Sequence, residues 1–294
     1  MENECKFVSS RGLMKSCNIY SSTPCSSIKY CTNLNYFSKP YKNTIIYINS
    51  SAIPHFVHNI FPDIKDSIIL VTGDCDETIP NDLFNQIDFD TFINNKKIIH
   101  WFCQNWVGSH KKITIMPVGL DYHTMSDKNH EWGCKISPIN QELLLQEIKE
   151  KSLHFKERTY KCYANFQFLT TTRYGYDRLD AIDKIPEHLV YYEPNKIKRL
   201  NTWINQSKYS FVISPHGNGL DCHRTWEALC LGCIPIMKRS HISCLFNDLP
   251  VLIIEDWQDI SQNLLNSTIE DFKNKEFNFE KLKLSYWTKQ FNNK

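Results

Sequence analysis

The chain has 294 residues, of which 41% are hydrophobic and 22% charged, enough to bury a substantial core and long enough for about two domains of ordinary size. Its 34 Lys and Arg stand against 32 Asp and Glu, so no excess of charge draws it to nucleic acid or to an anionic membrane. The opening MENECKFVSSRGLMKSC has no continuous apolar run, and no segment reaches the roughly 18 apolar residues of a membrane span, so a cytosolic chain with neither secretory signal nor span is expected.

Short apolar, β-branched runs alternate with amphipathic stretches, the pattern of an α/β protein with mostly parallel sheets. In the first half the pattern predicts strands at 44–48, 67–72, 98–102 and 113–118. A helix is expected over Gln141–Lys151, where Leu144, Leu145 and Ile148 share a face and Asn140 is placed to cap it. Beyond the polar stretch 151–159, strands recur at 161–166, 188–192, 209–214, 234–237 and 251–255. A boundary near residue 156 therefore divides the chain into two Rossmann-like units, 1–156 and 157–294, with a cleft between them. In such sheets ligands bind beyond the carboxyl ends of strands. The mixed-charge tail from Asn274 reads as a solvated helix.

The segment YSFVISPHGNGLDCHRTWEALCLGCIPIMK reads strand, loop, helix, strand. Gly217 and Gly219, with Asn218 between them, permit positive φ and the close backbone approach that a phosphate-binding loop requires. Asp221 is placed to cap the helix. Cys222, Trp226 and Leu229 share a core face, while His223, Arg224 and Glu227 lie on a polar one. Arg224 offers a two-pronged donor to a diphosphate, and Glu227 an acceptor for ribose hydroxyls. The competing structural explanation is an Arg224–Glu227 surface ion pair beside an ordinary turn. Arg173, in a polar loop, is a second phosphate candidate, with a plain surface charge as its alternative.

Pro215, Gly217, Arg224, Glu227, Gly232, Cys233 and Pro235 give this segment a pattern that resembles the C-terminal motif of the exostosin-like glycosyltransferases. The similarity is densest over about 30 residues and compatible across roughly 160–260. The resemblance implies a GT-B fold and a nucleotide diphosphate sugar held by the C-terminal unit, with Arg224 at its phosphates and Glu227 at its ribose. It also implies inversion at the anomeric carbon without a required metal, and an acceptor hydroxyl on a glycan or glycoprotein. Membrane-anchored members carry a span that this sequence lacks, and its compactness is similar to soluble forms in large DNA viruses.

In the first half, ILVTGDCDETIP puts Asp74 and Asp76 just past a strand. Asp74 is the first choice of general base and Asp121, in PVGLDY, the second. Two rival readings are a metal-dependent transferase using Asp74 and Asp76, and a binding module without catalysis. His100, Gln104 and Asn105 could line an acceptor site, although a lone His or a Trp such as Trp101 or Trp106 usually belongs to a core. Cys230 and Cys233 straddle a helix C-terminus, where the dipole disfavours a thiolate, so buried inert thiols are expected there and at most of the 12 Cys.

Overall fold

The computed structural model describes residues 1–20, 44–167 and 171–294. The first unit is a parallel sheet of β1 (Thr44–Asn49), β2 (Ile68–Gly73), β3 (Ile98–Cys103) and β4 (Ile113–Ile115), in the order β1-β2-β3-β4. The second holds β5 (Thr159–Ala164), β6 (Val190–Tyr192), β7 (Tyr209–Ile213), β8 (Ile234–Lys238) and β9 (Leu252–Ile254), in the order β6-β5-β7-β8-β9, again all parallel. Two Rossmann-like α/β units are thus present, as the alternation of apolar runs requires. In the second sheet the order reverses between β5 and β7, the switch point at which ligands bind in open α/β sheets.

The helices that matter below are α1 (Ser10–Lys15), α2 (Gln86–Ile93), α3 (His123–Asp127), α4 (Pro138–Lys151), α5 (Gly175–Lys184), α6 (Arg199–Gln206), α7 (His223–Cys230), α8 (Gln262–Lys273) and α9 (Leu284–Phe291). The helix expected from Gln141 begins earlier, at Pro138, because proline is pre-set for a first helical position. Ser137 caps it by accepting from the Asn140 N–H at 3.2 Å, so Asn140 is the donor and not the cap. The strand expected to reach Val118 stops at Ile115. Pro117 has no N–H for a ladder, and Gly119 turns the chain at φ +65°.

Alternate side chains of the first sheet go to opposite cores. Ile46, Ile48, Ile68, Leu70 and Trp101 join Phe56, Phe89 and Phe92. Ile45, Tyr47, Ile69, Val71 and Phe102 join Leu13 and Met14 of α1 and Trp287 and Phe291 of α9. The same cluster continues through Val212, Trp226, Leu229 and Met237 of the second unit, so one apolar core joins the two. The tail is therefore not a solvated helix. Leu284, Trp287 and Phe291 are all at most 4% exposed, and Phe291 packs 4.9 Å from the ring of Phe102. Burial of such side chains is worth about 1.5–3 kcal/mol each, which outweighs the polar residues interleaved with them. Among the described residues no helix is long and apolar enough to cross a membrane.

Candidate functional site

The loop after β7 and the start of α7 lie at the carboxyl end of the second sheet. Neither Gly217 nor Gly219 adopts the positive φ expected, but both are closely approached. A Cβ on Gly217 would stand 2.8 Å from Arg178 Nη2, and one on Gly219 would stand 3.1 Å from Asn105 Nδ2 and 3.2 Å from Asp76 Oδ1. The loop is gripped from both units. Asn218 donates to Asp76 Oδ2 at 2.8 Å, Tyr174 Oη and Thr78 Oγ1 are 2.7 Å apart, and Arg173 reaches the Asp76 carbonyl at 2.7 Å and Asp82 Oδ2 at 3.2 Å.

No side chain caps α7. Asp221, expected to do so, is turned into the interface. It accepts from the Val118 N–H at 2.8 Å and from the Trp226 indole N–H at 2.9 and 3.0 Å, while its own N–H donates to Asn105 Oδ1 at 3.0 Å. Two buried donors make a stronger claim on a carboxylate than a solvated helix end does. Burial still pushes its pKa up, to about 6, against the hydrogen bonds that favour the ion.

Arg224 and Glu227 do not pair with each other. Arg224 Nη2 donates to the Pro215 carbonyl at 3.0 Å and its guanidinium lies 5.7 Å from the Phe166 ring centre, while its buried Nε has no partner among the described residues. Glu227 faces Arg199 Nε at 3.6 Å. Arg178, which the sequence pattern did not single out, donates to the carbonyls of Gln167 (3.0 Å) and His216 (3.3 Å). Burial, and then the charge of Arg224, lower its pKa. Two guanidiniums thus flank the glycine loop near an uncapped helix start, an arrangement that favours an anion.

The first unit brings a second polar group to the same place. The segment after β4 is threaded between Val8, whose carbonyl accepts from Leu120 N–H at 2.8 Å, and α7, where His223 Nδ1 donates to the Gly119 carbonyl at 2.7 Å. Gly119 must be glycine here: at φ +65° a Cβ would sit 2.2 Å from the Val8 carbonyl oxygen. Behind it, Tyr122 Oη donates to Glu142 at 2.6 Å and Gln141 donates to the Tyr122 carbonyl at 2.7 Å, which fixes the chain against α4.

Asp121 sits in this clamp. Arg199 donates to its carbonyl at 2.6 Å and to Oδ2 at 2.9 Å, Thr124 N–H donates to Oδ1 at 3.0 Å, and His123 Nδ1 lies 3.1 Å from Oδ1 as an ion-pair contact. Burial opposes its ionisation, but His123, His223, Arg199 and the Thr124 N–H outweigh burial and hold the carboxyl well below the usual range. The His123 ring lies 6.1 Å from that of His223. Asp74 follows β2 at φ +57°, with its N–H donated to Gln104 Oε1 at 2.9 Å and Oδ2 3.6 Å from Arg11 Nε. Burial raises its pKa, partly offset by His123, Arg11 and His223.

Asp74 and Asp121 therefore converge near α7. Asp76 goes to Asn218 instead, and no group of three or more metal-ligating side chains occurs among the described residues. Gln104 and Asn105 are struts: Gln104 Nε2 donates to Ser10 Oγ and Pro117 O, and Asn105 Nδ2 to the Cys75 carbonyl. His100 is away from the site, 4% exposed with Nε2 2.8 Å from Thr114 Oγ1. Trp101 and Trp106 are in the core. Cys230 and Cys233 are buried free thiols with pKa values raised by burial, Cys233 to about 11. Sequence reasoning missed His123 and Arg199, although Asp121-x-His123 one loop past a strand was a usable signal.

No family model matches the sequence, and no curated protein matches it. Among solved structures the chain is similar to one described as trehalose-6-phosphate from E. coli bound with UDP-2-fluoro glucose, at 10% identity and a TM-score of 0.42, over 90% of this chain and 75% of that one.

Proposed function

We propose that the protein is a GT-B-type glycosyltransferase that moves a sugar, with inversion, from a nucleotide diphosphate sugar to a hydroxyl of a glycan or glycoprotein. The second unit holds the donor through the Gly217–Gly219 loop, Arg224 and Glu227. Arg173 closes the loop from the side. The first unit supplies the acceptor side, with Asp74 and Asp121 among its reacting-centre groups. The observation that carries this reading is the convergence of two charge patterns on the start of α7. Guanidiniums flank its loop at the switch-point side, while a carboxylate and imidazole cluster from the other unit faces it, with His123 and His223 6.1 Å apart.

The chemistry follows from that opposition. A departing diphosphate gains negative charge, which uncapped helix N–H groups and Arg224 neutralise without reorganisation. An attacking hydroxyl needs its proton taken as the bond forms, which the first unit provides. Neither requirement calls for a metal ion. The test is thermal-shift and calorimetric screening of nucleoside diphosphates and sugar nucleotides. A ligand at 100 times its dissociation constant adds about 2.7 kcal/mol of stability. Binding to no member of the panel, or binding that Arg224→Ala leaves unaltered, refutes the donor site.

A further inference from the structure

We infer that His123 is the general base that takes the acceptor proton, with Asp121 as its positioning residue and Asp74 as a charge partner of the imidazolium. The inference rests on the sugar-transfer reading but assigns a group that the sequence did not single out. Asp121 is a poor base in this setting, because both of its oxygens and its carbonyl are already engaged by Arg199, Thr124 and His123. What that engagement does is hold a carboxylate beside an imidazole. Asp121 Oδ1 lies 3.1 Å from Nδ1 as an ion-pair contact, and a carboxylate this close favours the tautomer with its hydrogen on Nδ1, which leaves the lone pair on Nε2. No described residue bonds Nε2. The side chain is 24% exposed and stands at the start of α3, facing His223 of the donor unit.

The neighbours support the proton's path. His223 is fixed by a hydrogen bond, with Nδ1 donating to the Gly119 carbonyl. The charges nearest His123 are Asp121, Asp74, Arg11 and His223. Burial first, then Arg11 and His223, lower its pKa below the ordinary 6.5 despite the two carboxylates, so the ring is neutral at pH 7. In the step itself the acceptor O–H bond breaks, its proton passes to Nε2, and the oxygen forms a bond to the anomeric carbon. The bond from that carbon to the diphosphate breaks with its electron pair leaving on the diphosphate. The imidazolium so formed is attracted by Asp121, 3.1 Å from Nδ1, and by the nearby charge of Asp74.

The test uses the full chain and two independent measurements. Nucleoside diphosphate release from UDP-glucose, UDP-N-acetylglucosamine, UDP-galactose and GDP-mannose, with water as acceptor, is measured for the wild type and for His123→Gln and His123→Ala. Both variants are expected to lose about 10²- to 10⁴-fold in turnover, with nucleotide affinity changed less than about 3-fold and with added imidazole restoring part of the His123→Ala rate. Asp121→Asn is expected to move the acid limb of the pH–rate profile to lower pH, which a merely structural role would not do. Near-normal turnover in both His123 variants overturns the base and leaves the transfer reading standing. Absence of both binding and hydrolysis in the wild type overturns the transfer reading itself. Separately, nitrogen-15 NMR of the wild type, assigned with His123→Gln, should show the Nδ1–H tautomer at pH 7; an Nε2–H tautomer overturns the inference whatever the turnover.

Discussion

Replacing Asp221 tests how the two units are joined beneath the site. Its carboxylate accepts from the Val118 N–H of the first unit and from the Trp226 indole of the second, and it is 5% exposed. Asp221→Ala strands two buried donors at about 1–3 kcal/mol each, so a loss of roughly 2–5 kcal/mol in unfolding free energy is expected. Asp221→Asn separates shape from charge. The aspartate has its pKa raised from 3.8 to about 6 on folding, so its contribution is fully present below 3.8 and is lost as pH rises through about 6. At about 1.4 kcal/mol for each pH unit between those two values, wild type should lose roughly 3 kcal/mol relative to Asp221→Asn between pH 4 and 7. Urea unfolding at both pH values, with hydrogen exchange of the Val118 amide as a local probe, measures this. A stability difference that does not vary with pH, or an alanine variant within about 0.5 kcal/mol of wild type, would refute the assignment.

Other outcomes follow from the same contacts. Arg224→Ala should weaken nucleoside diphosphate binding by about 1.5–3 kcal/mol, the scale of a charged hydrogen bond, and Glu227→Gln should weaken it too; calorimetry on folded variants decides. Sugar transfer should survive excess EDTA, because the proposed diphosphate site is a helix start beside Arg224; abolition with rescue by manganese would favour Asp74 and Asp76 as metal ligands. Gly119→Ala should cost roughly 2–5 kcal/mol in denaturant unfolding, combining left-handed strain with a backbone clash against Val8. A cost below about 1 kcal/mol would mean that the segment carrying Asp121 is not clamped as described.

The sheets were legible because each strand is a short apolar run ended by turn chemistry, and periodicity places such runs to within a few residues. The tail was not, because Leu284, Trp287 and Phe291 are spaced three and four apart among mostly polar residues, and only the sheet they cover reveals which face wins. Arg224, Glu227 and the glycine loop were legible as one contiguous strand–loop–helix. Their partners were not: Arg199 meets Asp121 across 78 positions of sequence, and Asp221 meets Val118 across 103. Asp221 shows the limit well. An aspartate two residues before a helix reads as a cap, and nothing local discloses that two buried N–H groups compete for it.

That competition bears on how the site works. The segment that carries the proposed base is held from the other unit and from the chain's start as well as locally. Arg199 of α6 grips Asp121, His223 of α7 ties the Gly119 carbonyl, and Val8 packs the other side of the same turn. The loop that would cradle the diphosphate is held in turn by Asp76 and Asn105 of the first unit. The proposed base and the proposed donor loop are therefore positioned by one set of cross-unit hydrogen bonds, and the apolar core that runs from Phe102 to Trp226 keeps that set in register. Misplacement by about 1 Å costs around 100-fold in rate, so residues such as Asp221 and Gly119 should act on turnover without touching substrate.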